Sequence, residues 1–141
     1  MNTTSLTTLL QIAAILHLGL IWAGATMPSA VGLRQHLSSL PSFVRRLFYV
    51  YFTFIGLILI AFGMLTFVFA REMAAGEPVA RGLCIVMGAF WTVRLIAAAF
   101  VFEIRPYLKN WLWRVGYHST NIAFVYLLTV YVIAALRGAW L

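Results

Sequence analysis

Two residues set in apolar surroundings carry the chemistry this sequence offers. Arg94 lies in the run from Gly82 to Ile104, twelve residues after its start and ten before its end. A charge at such a depth in a bilayer costs about 2.5–3.5 kcal/mol on insertion scales. The three acids, Glu72, Glu77 and Glu103, all fall near the ends of apolar runs. Arg94 is therefore expected to reach carbonyls, hydroxyls, an internal water or an anionic ligand group, or else to snorkel and fix packing. His17 stands at a matching depth, eleven residues after Leu6 and eleven before Pro28. A neutral imidazole can ligate haem iron or another metal. It can equally hydrogen-bond across helices as a purely structural group. His17 is the candidate metal ligand, and His17 with Arg94 is the candidate mid-membrane site.

His118 and Asn121 belong to a second polar layer. Tyr117, His118, Ser119, Thr120 and Asn121 open the last apolar run, Glu103 and Arg105 close the one before, and Arg45 and Arg46 open the second. The spacing of His118, Asn121, Val125 and Thr129 predicts one helix stripe facing the bundle. As a site, this layer would admit an anionic headgroup, a carboxylate or a propionate; the plainer reading is satisfied polarity at a membrane interface. Met27, Met64 and Met87 form no copper motif, and the single cysteine, Cys84, excludes a disulfide framework. No Ser/His/Asp set, P-loop, nucleotide-binding glycine turn or HExxH zinc motif occurs.

The elements that must position these residues follow from composition. Hydrophobic residues make up 64% of the 141, and charged residues 9%. Soluble domains run at about 45–50% and about 25%, so a soluble domain, a disordered tail and a disulfide scaffold are excluded. Four runs are long enough to span a bilayer: 6–28, 47–70, 82–104 and 115–136. At about 1.5 Å per residue each reaches at least about 33 Å. Backbone polar groups cannot go unpaired in lipid, so these are helices. Ala23-Gly24-Ala25 resembles a signal-peptide cleavage site, but no Lys or Arg precedes the first run, so it is expected to remain a span.

The net charge of +7 would point to nucleic acid in a soluble protein. Here nine of ten basic residues flank the spans, so they anchor helices and no nucleic-acid partner is expected. Arg34, Arg45, Arg46, Arg105, Lys109 and Arg114 lie on one side, against Arg71, Arg81 and Arg137 on the other. The positive-inside rule places the six in the cytoplasm and both termini outside. Leu33, Leu37 and Leu40 predict a short interfacial helix within 29–44. Gly76 and Pro78 mark an outer turn over 71–81. Trp111, Trp113, Tyr107 and Tyr117 fit a cytoplasmic aromatic belt, and Trp140 an outer one. Small residues on the spans (Ala13 and Gly24 beside His17; Gly56 and Gly63; Gly88 and Ala98) predict helix contacts or room for a flat ligand. The expected fold is all-α: one integral membrane four-helix bundle over residues 1–141, and the expected location is a bacterial inner membrane.

The order of features resembles the four-helix CopD copper-resistance and HemJ protoporphyrinogen oxidase group. The resemblance rests on four short elements: His17, Trp22, Gly24 and Pro28 in the first span; Arg45, Arg46 and Leu47 opening the second; Arg94 inside the third; Arg114, His118 and Asn121 leading into the fourth. It implies a b-type haem with His17 as axial ligand. The third-span basic residue of HemJ-like proteins is Lys, and Arg94 in its place cannot give up a proton. Three functions are therefore open from the sequence. One is a membrane redox protein with a haem b or quinone-like ligand at His17 and Arg94. Another is a non-catalytic subunit of a larger membrane complex. The third is a small anion transporter or channel, as a homo-oligomer, with Arg94 as its selectivity charge.

Overall fold

A computed structural model of the protein describes residues 2–30, 32–101 and 110–137. Those residues form six helices and no strand: α1 (Thr3–Ala30), α2 (Leu33–Ser38), α3 (Ser42–Val68), α4 (Ala70–Ala75), α5 (Pro78–Phe100) and α6 (Trp111–Arg137). Four of them, α1, α3, α5 and α6, are long and apolar enough to cross a membrane. The fold is an all-α four-helix bundle, and it fits a multi-pass membrane protein. Glu103, Arg105, Pro106, Tyr107, Lys109 and Trp140 lie outside the described residues.

The helices run further than the apolar runs because their polar residues bond locally. Thr7 and Thr8 hydroxyls donate to the carbonyls of Thr3 and Thr4, at 3.0 and 3.1 Å. A hydroxyl satisfied four residues back in its own helix does not end the helix. Likewise α3 begins at Ser42, with Arg45 and Arg46 already inside it.

The turn expected over 71–81 is much shorter. Phe69 interrupts the helix with φ −99° and ψ 20°, yet Phe69 N–H still donates to Leu65 O and Met73 N–H to Phe69 O. α3 and α4 thus continue as one bent rod. Gly76, at φ 79°, closes it. Gly76 N–H donates to Glu72 O at 3.0 Å and Glu77 N–H to the same carbonyl at 3.1 Å. That closure needs a left-handed residue, which glycine supplies without steric cost. Pro78 then starts α5, so Gly76 and Glu77 alone join the two helices.

Buried positions follow a 3-4 alternation. On α1 the row is Leu6, Leu10, Ala13, His17 and Leu20, with Ala14 beside it; on α5, Ala80, Cys84, Met87, Trp91 and Ala98, with Gly88 beside it; on α6, Phe124, Leu127, Tyr131 and Ala134, with Val130 beside it. This is the spacing of helices packed nearly parallel with a left-handed crossing. The closest backbone approaches are α1 with α3 and α5 with α6, and α1 also packs on α6 and α4. Phe62 of α3 meets Phe90 of α5 edge to face, at 5.2 Å.

Packing is concentrated towards the end of the bundle that holds α4. On α3 only Gly63 and Thr66 are buried, and on α6 nothing is buried before Phe124. Phe48, Tyr49, Tyr51, Phe52 and Phe54 near the start of α3 are exposed, as aromatic residues facing lipid or its interface would be.

Candidate functional site

His17 is fully buried at the centre of the seam between the helix pairs. Its Nδ1–H donates to the Ala13 carbonyl, one turn back on α1, at 2.7 Å. A carbonyl can only accept, so in the neutral ring Nε2 carries the lone pair. Nε2 is buried with no hydrogen-bond partner. The ring is held by Trp91 of α5 at 5.5 Å, Tyr131 of α6 at 6.2 Å and Phe62 of α3 at 6.3 Å, all edge to face.

Gly63 allows this arrangement. A Cβ there would lie 3.1 Å from His17 Cβ and 3.4 Å from the Ala14 carbonyl oxygen. The absence of a side chain is what lets α3 lie against α1 at the histidine. Gly24 and Gly56 have nothing within 4 Å of an added Cβ. The expectation that Gly24 shares the close contact of Ala13 and His17 is corrected: it extends the same face, but no neighbour approaches it.

A hydrogen-bonded chain closes one side of the site. Thr66 Oγ donates to the Phe62 carbonyl at 2.7 Å. Its only hydrogen is thereby used, so the Tyr131 hydroxyl donates to Thr66 Oγ, at 2.6 Å. Met87 Sδ lies 3.6 Å from the same oxygen. Tyr126 of α6 likewise donates to the Leu9 carbonyl of α1 at 2.9 Å. By contrast Trp91, also fully buried, leaves its Nε1–H without a partner. A donor without an acceptor thus stands on a ring packed against an acceptor without a donor.

Arg94 occupies the next position of the same seam, one turn beyond Trp91, and is half-buried. Its guanidinium carbon lies 4.8 Å from the Phe124 ring centre. Phe124 stacks on Trp91 at 5.2 Å, so an unbroken series of rings links Arg94 to His17. The ring face offsets part of the cost of the buried charge, by about 0.5–2 kcal/mol.

The structure separates His118 from this centre and leaves Asn121 at its edge, one turn before Phe124. The inward stripe of α6 is Phe124, Leu127, Tyr131 and Ala134, whereas His118, Val125 and Thr129 are exposed. The predicted His118–Asn121–Val125–Thr129 stripe is therefore corrected. Polarity alone points that stripe inward, but Thr129 satisfies its hydroxyl on the Val125 carbonyl at 2.8 Å and can face outward. Asn121 is half-buried on the seam and donates to the Tyr117 carbonyl at 3.0 Å. His118 packs on Tyr117 at 5.5 Å. Thirteen residues separate it from Tyr131, about 20 Å of helix.

Trp91, Tyr131 and Thr66 were not singled out from the sequence. Stepping back three residues from Arg94 would have reached Trp91, but nothing in the chain marks Thr66 as the acceptor of Tyr131.

The haem implied by the resemblance can be tested against this geometry. The donor chemistry suits it, with one imidazole nitrogen oriented and the other unpartnered. The packing does not. The imidazole has no accessible surface, and a macrocycle over Nε2 would displace Phe62, Trp91 and Tyr131 together and break the Tyr131–Thr66 bond. Among the described residues no three His, Cys, Asp or Glu side chains gather to hold a metal.

The fold and this centre define a four-span membrane bundle with a polar seam. None of the family models, curated proteins or solved structures compared with the chain matches it.

Proposed function

We propose that this membrane bundle binds a quinone-like redox ligand, with a ligand oxygen seated between His17 and Trp91. The observation that carries the reading is that His17 Nε2 and Trp91 Nε1–H are both buried without a hydrogen-bond partner, on rings 5.5 Å apart. A phenolic hydroxyl serves both: it donates to His17 Nε2 and accepts from Trp91 Nε1–H. A quinone carbonyl serves only Trp91. Because Nδ1–H is committed to Ala13, the neutral imidazole can only accept here, and the site favours the reduced, hydroxyl-bearing form.

Magnitudes support entry. Each buried group left unpaired costs about 1–3 kcal/mol, so pairing both recovers about 2–6 kcal/mol. Parting the His17–Trp91 edge contact forfeits about 0.5–1.5 kcal/mol beyond the buried area it uncovers, and the ligand ring must cover that area again. Arg94, one turn along the seam, adds a positive charge beside the Phe124 ring at this end of the site.

The test is extraction of the purified protein into organic solvent, followed by reversed-phase chromatography with ultraviolet spectra before and after borohydride reduction. A quinone-type spectrum near one equivalent, lost in His17→Leu, is expected. No such compound, or equal amounts from both proteins, sinks the proposal. A Soret band would return the reading to haem.

A second reading is a non-catalytic subunit of a larger membrane complex. The observation in its favour is that Tyr126, Tyr131 and Thr66 all bond within the bundle, as in a scaffold. Ligand-free protein that purifies only with partner chains would support it.

A further inference from the structure

A separate site lies where α1, α2 and α3 meet at the other end of the bundle. The end of α1, the short helix α2 and the second turn of α3 enclose an open groove of about 690 Å³. Ser29, Arg34, Gln35, Ser38 and Tyr49 supply its polar wall, and Leu33 an apolar patch.

Most of the wall is apolar, and its polar groups are chiefly donors. Arg34 carries a fixed positive charge and a planar fork of N–H groups, the geometry that grips phosphate. Gln35 can donate from its side-chain amide, and Ser29 and Tyr49 from hydroxyls. Ser38 already donates to the Gln35 carbonyl, at 2.6 Å, which leaves its oxygen as an acceptor. None of the described lining residues is acidic, and the first acid of the chain is Glu72. Arg45 and Arg46 in the first turns of α3 add to the same field.

Position selects the occupant. α1 and α3 are spanning helices, and the groove sits at their adjoining ends, where lipid headgroups lie. α2 is tied to the bundle by buried Leu37, so the groove wall is anchored. We propose that this groove binds the phosphate headgroup of an anionic phospholipid, with Leu33 against the start of its acyl chains. The inference is independent of the ligand assigned to His17 and Trp91.

Native mass spectrometry of the full chain released from detergent tests it. The probes are palmitoyl-oleoyl phosphatidylglycerol, phosphatidylcholine with the same chains, and inorganic phosphate. Phosphatidylglycerol should be retained about fivefold over phosphatidylcholine through Arg34, the share expected of one basic residue at a lipid surface. Arg34→Gln should remove that preference, and Arg34→Lys, which keeps the charge, should retain part of it. Arg71→Gln, at the opposite end of the bundle, should leave it unchanged. Equal retention of the two lipids overturns the proposal. So does a preference that Arg34→Gln leaves intact, or that Arg71→Gln lowers as much. Arg34-dependent binding of inorganic phosphate without a lipid preference would make the groove a free-anion site and end the lipid assignment.

Discussion

Gly63→Ala is the sharpest test of the packing that creates the central site. The new Cβ would meet His17 Cβ at 3.1 Å and the Ala14 carbonyl oxygen at 3.4 Å. Ordinary contact between carbons needs about 3.5–4.0 Å. Neither neighbour is the far end of a flexible side chain: one is attached directly to the α1 backbone and the other belongs to it. The helices must therefore part by a few tenths of an ångström, along a seam where His17, Trp91 and Tyr131 are packed edge to edge. Overpacking of this kind costs about 1–3 kcal/mol. At about 2–4 °C per kcal/mol for a chain of this order of size, the unfolding temperature should fall by about 2–12 °C.

Cys84 provides the assay. It is free and fully buried, so a thiol-reactive fluorophore reports unfolding in detergent without any added label. Gly56→Ala is the control, because nothing lies within 4 Å of its added Cβ; exchanging a helix glycine for alanine there should be neutral or stabilising by up to about 1 kcal/mol. If Gly63→Ala and Gly56→Ala unfold at the same temperature, the close approach of α3 to His17 does not hold the site together and the argument fails.

Three further outcomes are expected. Thr66→Val leaves the Tyr131 hydroxyl buried without its acceptor and should cost about 1–3 kcal/mol; Tyr131→Phe should cost about 0.5–1.5 kcal/mol, and the double variant less than the sum, by the same thermal assay. Trp91→Phe removes an unpartnered N–H while retaining an aromatic ring, so its ligand-free form should lose less stability than Trp91→Leu, yet its extract should contain less of the quinone-type compound. For orientation, Glu77→Cys should react with a membrane-impermeant thiol reagent applied outside intact cells and Ser38→Cys should not; the reverse pattern would invert the assignment from the charge count.

The sequence alone determined the helices and the class of protein. With 64% hydrophobic residues in four long runs, only helices can pair their own backbone in lipid, and that conclusion requires no tertiary contact. It also placed His17 deep in the first span, because depth is a matter of counting along a helix; for Arg94 the count was off, since α5 is Pro78–Phe100 and sets it six residues before the helix end. What counting could not give was the partner across the seam. Tyr131 and Thr66 are 65 residues apart and meet at 2.6 Å, and Trp91 reaches His17 from a different helix. Nor could it give the inner face of α6, since nearly every residue over 122–136 is apolar and a polar side chain can satisfy itself on its own helix, as Thr129 does. In a soluble protein, water would have sorted the two faces by polarity. In a membrane both faces are apolar, and the choice falls to shape: to Gly63, which admits α1, and to the 3-4 row of side chains that interlocks around His17.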